Sequence, residues 1–170
     1  AGFEDISAEK QRELERIAYI DHITGGGNYA HFKKTLRDCR EPGYLISMDI
    51  HDFKIINSIC GIIKGDETLK NIWRCIEKSL TSKDLAGHIN ADRFAIYCRC
   101  DDKDEVIECI HKIGEGLKDI TEALKIPNII PYYGISHWKH GKKVEEAYSE
   151  ANFAKNQVKE RKDISYQFYS

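Results

Sequence analysis

Apolar side chains recur at Leu69, Ile72, Trp73, Ile76 and Leu80, a spacing of three and four that puts them on one stripe of a helix. The rhythm returns at Val106, Ile110, Ile113, Leu117 and Ile120, behind an acidic "DDKDE" start that suits the positive end of a helix dipole. Upstream, Ile6 to about Tyr19 reads as helical, with Ser7 as its N-cap and Leu14, Ile17 and Ala18 on one face. "TGGGN" breaks that helix, and Asn28 caps a second one running to about Cys39. Lys143 to about Lys159 is predicted to be helical as well. Strand signals are "YLISMDI" (Tyr44 to Ile50), a hairpin around "HINADRFAIY", then "IPNIIPYYGISHW" and a closing "ISYQFY". Between the first strand and the Trp73 helix, His51 to about Lys64 reads as a polar loop.

The predicted order is α-α-β-α-β-β-α-β-α-β. A strict βαβ repeat is absent, so the fold class expected is α+β, with a central, mostly antiparallel sheet covered by helices. Residues 1–20 read as an N-terminal linker helix and 21–170 as one domain. A chain of 170 residues is long enough for a real hydrophobic core.

Composition narrows the function classes. With a net charge of -2 there is no basic excess to follow a nucleic-acid backbone. No apolar run reaches the roughly 20 residues that span a bilayer, so no membrane contact is expected of this chain. The start lacks the basic-then-apolar order of a signal peptide. Six cysteines show neither C-x-x-C nor zinc spacing, which fits free thiols in a reducing, cytoplasmic setting.

Candidate chemistry gathers around the first strand and the hairpin. Asp49 ends a strand expected to be buried, where a carboxylate needs a partner, a hydrogen bond or a metal. Asp92 sits at the hairpin tip; beside Asp49 it would supply a second hard oxygen ligand for Mg²⁺, and alone it is an ordinary turn residue. Asn57 and Asp66 could read a guanine edge, because guanine presents an N1–H/N2–H₂ donor pair to a carboxylate; both could equally cap local turns. Backbone N–H groups at Asp52, Phe53 and Lys54 could form an anion nest. The hairpin turn "NADR" has no glycine, although tight hairpin turns favour one for φ > 0.

From Asp21 onward the chain resembles a GGDEF domain, the catalytic module of diguanylate cyclases. "DHITGGGN" is similar to the family's D-x-L-T-G-L-x-N opening. "DIHDFKIINSICGIIKGD" matches its D-x-D-x-F-K-x-I-N-D-x-x-G-H-x-x-G-D run at Asp49, Phe53, Lys54, Ile56, Asn57, Gly61, Gly65 and Asp66. "NADRF", Asn90 to Phe94, stands in the place of the signature itself.

The resemblance implies a fold like the nucleotidyl cyclase palm and a guanine nucleotide site. It implies GTP as substrate, with two domains facing each other as a homodimer to make cyclic di-GMP. By position, Asp49, the Ile50 carbonyl and Asp92 correspond to ligands of Mg²⁺ or Mn²⁺, with Asp92 also catalytic. Asn57 and Asp66 correspond to guanine contacts, the Asp52-Phe53-Lys54 backbone to the phosphate cradle, and Lys155 and Lys159 to basic residues on the phosphates.

Departures cluster at the reacting end. Both signature glycines are replaced, by Asn90 and Ala91, and Ala91 tolerates φ > 0 poorly. Arg93 stands for an acid and can pair with Asp49 or Asp92; His51 replaces the second acid of D-x-D, and Ile62 the His of the Gly-His pair. In the window of the family's R-x-x-D inhibitory site stands "TSKD", where Thr81 cannot supply a guanidinium, so product feedback is not expected there. Three readings follow: a degenerate domain that binds GTP weakly or regulates an attached sensory or phosphodiesterase domain, an active diguanylate cyclase, or a structural dimerisation module.

Overall fold

The computed structural model describes residues 7–161 and 163–170, so the linker-helix start expected at Ile6 lies outside the described residues. Two helices, α1 (Ala8–Tyr19) and α2 (Tyr29–Arg37), precede the first strand. Ser7 caps α1 by accepting from the Lys10 N–H, and Asn28 caps α2 by accepting from the His31 N–H. There follow β1 (Gly43–Ile50), α3 (Phe53–Cys60), α4 (Ile62–Ser79), β2 (Leu85–Asn90) and β3 (Arg93–Cys98). The chain closes with α5 (Lys103–Leu124), β4 (Pro131–Trp138), α6 (Val144–Val158) and β5 (Tyr166–Phe168).

The five strands form one sheet in the order β2-β3-β1-β4-β5. β1 lies at its centre, antiparallel to both β3 and β4; only the short β5 runs parallel, beside β4. This is the α+β architecture expected from the pattern. Alternation along β1 explains the two layers. Ile46, Met48 and Ile50 pack with Ile72 and Ile76 of α4 and Ile110 and Ile113 of α5. Leu45 faces the other way, with Phe32 and Leu36 of α2 and Ala147 and Ala151 of α6.

Two expectations need correction. The stretch from His51 to Lys64 is not a loop: it holds α3, and α4 already begins at Ile62. Phe53 and Ile56 recur at helical spacing and are buried, and Gly61, at φ +86°, lets one helix end and the next begin. Exposed Lys54, Asn57 and Ser58 hide that short pattern in a polar-looking segment. The strand expected across "IPNIIPYYGISHW" starts only at Pro131. Ile126 and Ile129 are buried from an irregular approach, where Pro127 lacks the N–H a ladder needs.

Candidate functional site

The polar end of β1 is built by its neighbours on the α6 side. Ser47 faces Gly134 and Asp49 faces Tyr132 across the β1–β4 ladder. A Cβ at Gly134 would overlap the Ala151 carbonyl and the Lys155 amide, so glycine lets α6 lie directly on the sheet. That close approach delivers Lys155, which is 4% exposed. Its Nζ donates to Asp49 Oδ1 at 2.8 Å and to Ser47 Oγ at 3.0 Å. Tyr132 OH donates to Asp49 Oδ2 at 3.3 Å, and the ring of His51 stacks on Tyr132 at 4.3 Å. Burial pushes the Lys155 ammonium below its ordinary value, and the hydrogen bond and charge of Asp49 pull it back up.

The hairpin tip comes to the same place. Asn90 pairs with Arg93, which leaves Ala91 and Asp92 as the two-residue turn. Ala91 has φ +46°, a conformation that costs an L-residue roughly 1–2 kcal/mol. Two groups hold it there. His88, 1% exposed, brings Nε2 to 2.7 Å from the Ala91 carbonyl and Nδ1 to 3.0 Å from Asp21 Oδ1. Asp21 also accepts from the Thr24 N–H and hydroxyl. Burial raises the Asp21 carboxyl, but the Thr24 N–H and His88 outweigh it and leave it below the ordinary carboxylate range. Asp92 turns inward, and its Oδ2 accepts from the Ile50 N–H at 3.0 Å. Burial pushes the Asp92 carboxyl up, against the Ile50 hydrogen bond.

Arg93 does not pair with Asp49 or Asp92; the cation on Asp49 is Lys155, and Arg93 is exposed with no ion pair among the described residues. One step beyond the Met48–Phe94 pair, the register sets Arg93 across from Asp49. Its charge is felt at Asp92, Lys155, Tyr132 and Tyr148, which places it at the mouth of this cluster. Lys159, at the C-terminal end of α6, is exposed.

The other end of the site lies on α3 and α4. Asp52 precedes α3 with φ +51° and makes no side-chain cap, so the first-turn N–H groups at Phe53 and Lys54 have no capping side chain. Phe53 is buried and Lys54 exposed. A Cβ at Gly65 would collide with Asn57 Oδ1, so the amide packs against that glycine. Asn57 is exposed and Asp66 half-buried, and neither side chain has a protein hydrogen-bond partner among the described residues.

Mg²⁺ prefers near-octahedral oxygen ligands at about 2.1 Å. Here an ammonium already lies on Asp49 Oδ1, and the Ile50 N–H takes Asp92 Oδ2. His51 and Arg93 contribute no third acid, and among the described residues no group of three His, Cys, Asp or Glu side chains is placed to hold a metal. With both carboxylates engaged by protein donors, the set Asp49, Ile50 carbonyl and Asp92 as folded does not fit the expected Mg²⁺ or Mn²⁺. The "TSKD" window is also spent locally: Asp84 accepts from the Thr81 N–H and hydroxyl and from the Arg99 N–H.

Sequence reasoning missed Ser47, Tyr132 and the Asp21–His88 brace. A serine, a tyrosine and a histidine in strands carry no local signal of what lies across the sheet.

The family model described as "Diguanylate cyclase, GGDEF domain" matches residues 18–164. The probable diguanylate cyclase DgcC of Escherichia coli is 30% identical over 128 residues, covering 71% of this chain and 33% of that protein. The chain thus spans about a third of the length of that relative. The coiled coil and GGDEF domain of DgcB from Caulobacter crescentus, in complex with c-di-GMP, superposes with a TM-score of 0.81 at 18% identity, covering 94% of this chain and 90% of that one. The S helix-GGDEF-EAL structure of Vibrio cholerae LapD, bound to c-di-GMP, does so with 0.79 at 19%, covering 95% and 39%. Among the described residues no helix is long and apolar enough to cross a membrane.

Proposed function

The chain belongs to the GGDEF family of cyclic di-GMP signalling proteins, and from that footing we propose that it is a guanine-nucleotide-binding regulatory domain that has lost cyclase activity. The observation that supports this reading is that Asn57, packed against Gly65, and Asp66, the next residue after that glycine, both keep their side chains free of protein hydrogen bonds among the described residues. Guanine offers Asp66 two N–H donors, while adenine turns an N1 acceptor toward it. Loss of turnover rests on the opposite end. Ala91 and Arg93 crowd the turn where nucleotide backbone and phosphate would meet, and the Asp49 carboxylate is held by Lys155.

Such a domain acts on something attached to it, a sensory or phosphodiesterase domain or a second copy. α1 buries none of its residues and exposes Leu14 and Ile17, as a connecting helix would.

Calorimetry with GTP and with ATP tests the reading. GTP is expected to bind with a Kd on the order of hundreds of micromolar, about 5 kcal/mol, and ATP at least tenfold more weakly. Equal affinities would overturn the base-reading assignment.

A further inference from the structure

We propose that Lys155 and Arg93 together take the place of the divalent ion in this cleft, so that it receives the polyphosphate of a guanine nucleotide as a metal-free anion. The inference rests on the guanine-binding reading above and concerns what neutralises the phosphates.

Position comes first. Lys155 Nζ lies 2.8 Å from Asp49 Oδ1, on one of the carboxylates that would have to hold the ion. It is an anchored charge, held also by Ser47 Oγ at 3.0 Å and seated by the contact of α6 with Gly134. Displacing it would leave an ammonium buried without its carboxylate, which is costly. A divalent ion must therefore compete with a cation that the fold supplies.

Charge comes second. Asp49 and Lys155 cancel as a pair. Asp92 is turned inward, its Oδ2 accepting from the Ile50 N–H. Arg93 then stands at the mouth, exposed and without an ion pair among the described residues. A cluster of carboxylates repels a polyphosphate unless a metal comes with it. This cluster, with one carboxylate neutralised and a free guanidinium in front, does not. A guanidinium suits phosphate because its planar fork donates two parallel hydrogen bonds to two oxygens.

The third observation is the cradle. The N–H groups at the start of α3 have no capping side chain, and Lys54 is exposed beside them. They open the helix that carries Asn57, shortly after Asp49 along the chain. The phosphates of a nucleotide whose base is read by Asn57 and Asp66 are then met by these N–H groups, Lys54 and Arg93.

The test measures GTP binding to the domain by calorimetry in excess Mg²⁺ and again in excess EDTA, with Mn²⁺ alone followed by electron paramagnetic resonance. The expected Kd values in Mg²⁺ and EDTA agree within about twofold, and Mn²⁺ alone shows no bound signal at millimolar concentration. Arg93→Glu, an exposed change that leaves the core untouched, is expected to weaken GTP binding in EDTA at least tenfold and to make Mg²⁺ necessary. Binding of GTP by the unaltered domain that requires Mg²⁺ would overturn this inference and leave the guanine-binding reading standing. Absence of GTP binding in both conditions would overturn that reading and this inference with it. Tight Mn²⁺ binding without nucleotide would overturn the inference alone.

Discussion

The two ends of the cleft have been treated differently by this sequence. At the proposed base end, the side chains of Asn57 and Asp66 have no protein partner among the described residues. At the reacting end, the carboxylates and the turn carbonyl are spent on the protein itself: Asp49 on Lys155 and Tyr132, Asp92 on the Ile50 N–H, and the Ala91 carbonyl on His88. Unpartnered polar groups are what a ligand can use, whereas satisfied ones must first be pulled away from their partners. On the proposed reading the contrast separates recognition from chemistry within one fold, and it can be broken at either end.

The largest effect is expected at Gly134. Gly134→Ala drives a methyl group into the Ala151 carbonyl and forces α6 off the sheet, so the Lys155 end should come apart. Overpacking against backbone is expected to cost about 3 kcal/mol, a fall in Tm of roughly 10 °C for a domain of this size. A thermal melt within a degree or two of the unaltered protein would show that α6 is not seated this way.

Next comes Asp49→Ala, which leaves the Lys155 ammonium buried beside Ser47 alone. A loss of about 2–3 kcal/mol is expected at neutral pH. The sign of its pH dependence is fixed by Lys155, whose folded-state value lies below 10.5 because of burial. The unfolded chain then holds the proton more tightly than the folded one, so the variant should regain stability as pH rises toward 10.5. Denaturant melts at pH 7 and pH 9.5 check this; a deficit that grows with pH would contradict the buried-ammonium account.

Gly65→Ala acts at the other end. Its methyl group takes the space of Asn57 Oδ1 and pushes the amide aside while leaving Asp49 and Lys155 untouched. The preference for GTP over ATP is expected to fall about tenfold, or about 1.4 kcal/mol, as read by calorimetry. An unchanged preference would place base reading elsewhere.

Asp92→Asn should have the smallest effect. Burial raises the Asp92 carboxyl above 3.8, so the folded state keeps the proton to higher pH than the unfolded state, and ionisation costs stability as pH rises through that window. The amide can still accept from the Ile50 N–H. Its Tm at pH 7 is expected to rise on the order of 2 °C, with the difference shrinking toward pH 4. A lower Tm at pH 7 would mean that the Asp92 charge is welcome where it sits.

Much of this contrast was legible in the sequence. The helical stripes of α4 and α5 and the strand at Tyr44 to Ile50 are amphipathic or apolar segments long enough to declare themselves. The φ > 0 demand on Ala91 followed from turn chemistry alone. α3 was hidden because eight residues carry only two buried positions. The partner of Asp49 could not be chosen from sequence. Arg93 is the cross-strand neighbour, but Lys155 arrives from a helix 106 residues away through a glycine contact that has no local signature. The Asp21–His88 brace was illegible for the same reason, since 67 residues separate its members (88 − 21).

The central claim is that this domain recognises guanine nucleotide without condensing it, and product formation tests that most directly. Concentrated protein is incubated with GTP and Mg²⁺ or Mn²⁺, and the mixture is resolved by chromatography with mass detection of cyclic di-GMP. The account predicts no product above a heat-denatured control, from protein that binds GTP in the same buffer. Sustained turnover that disappears in Asp92→Ala would contradict it, and would mean that the self-satisfied end of the cleft opens to do chemistry.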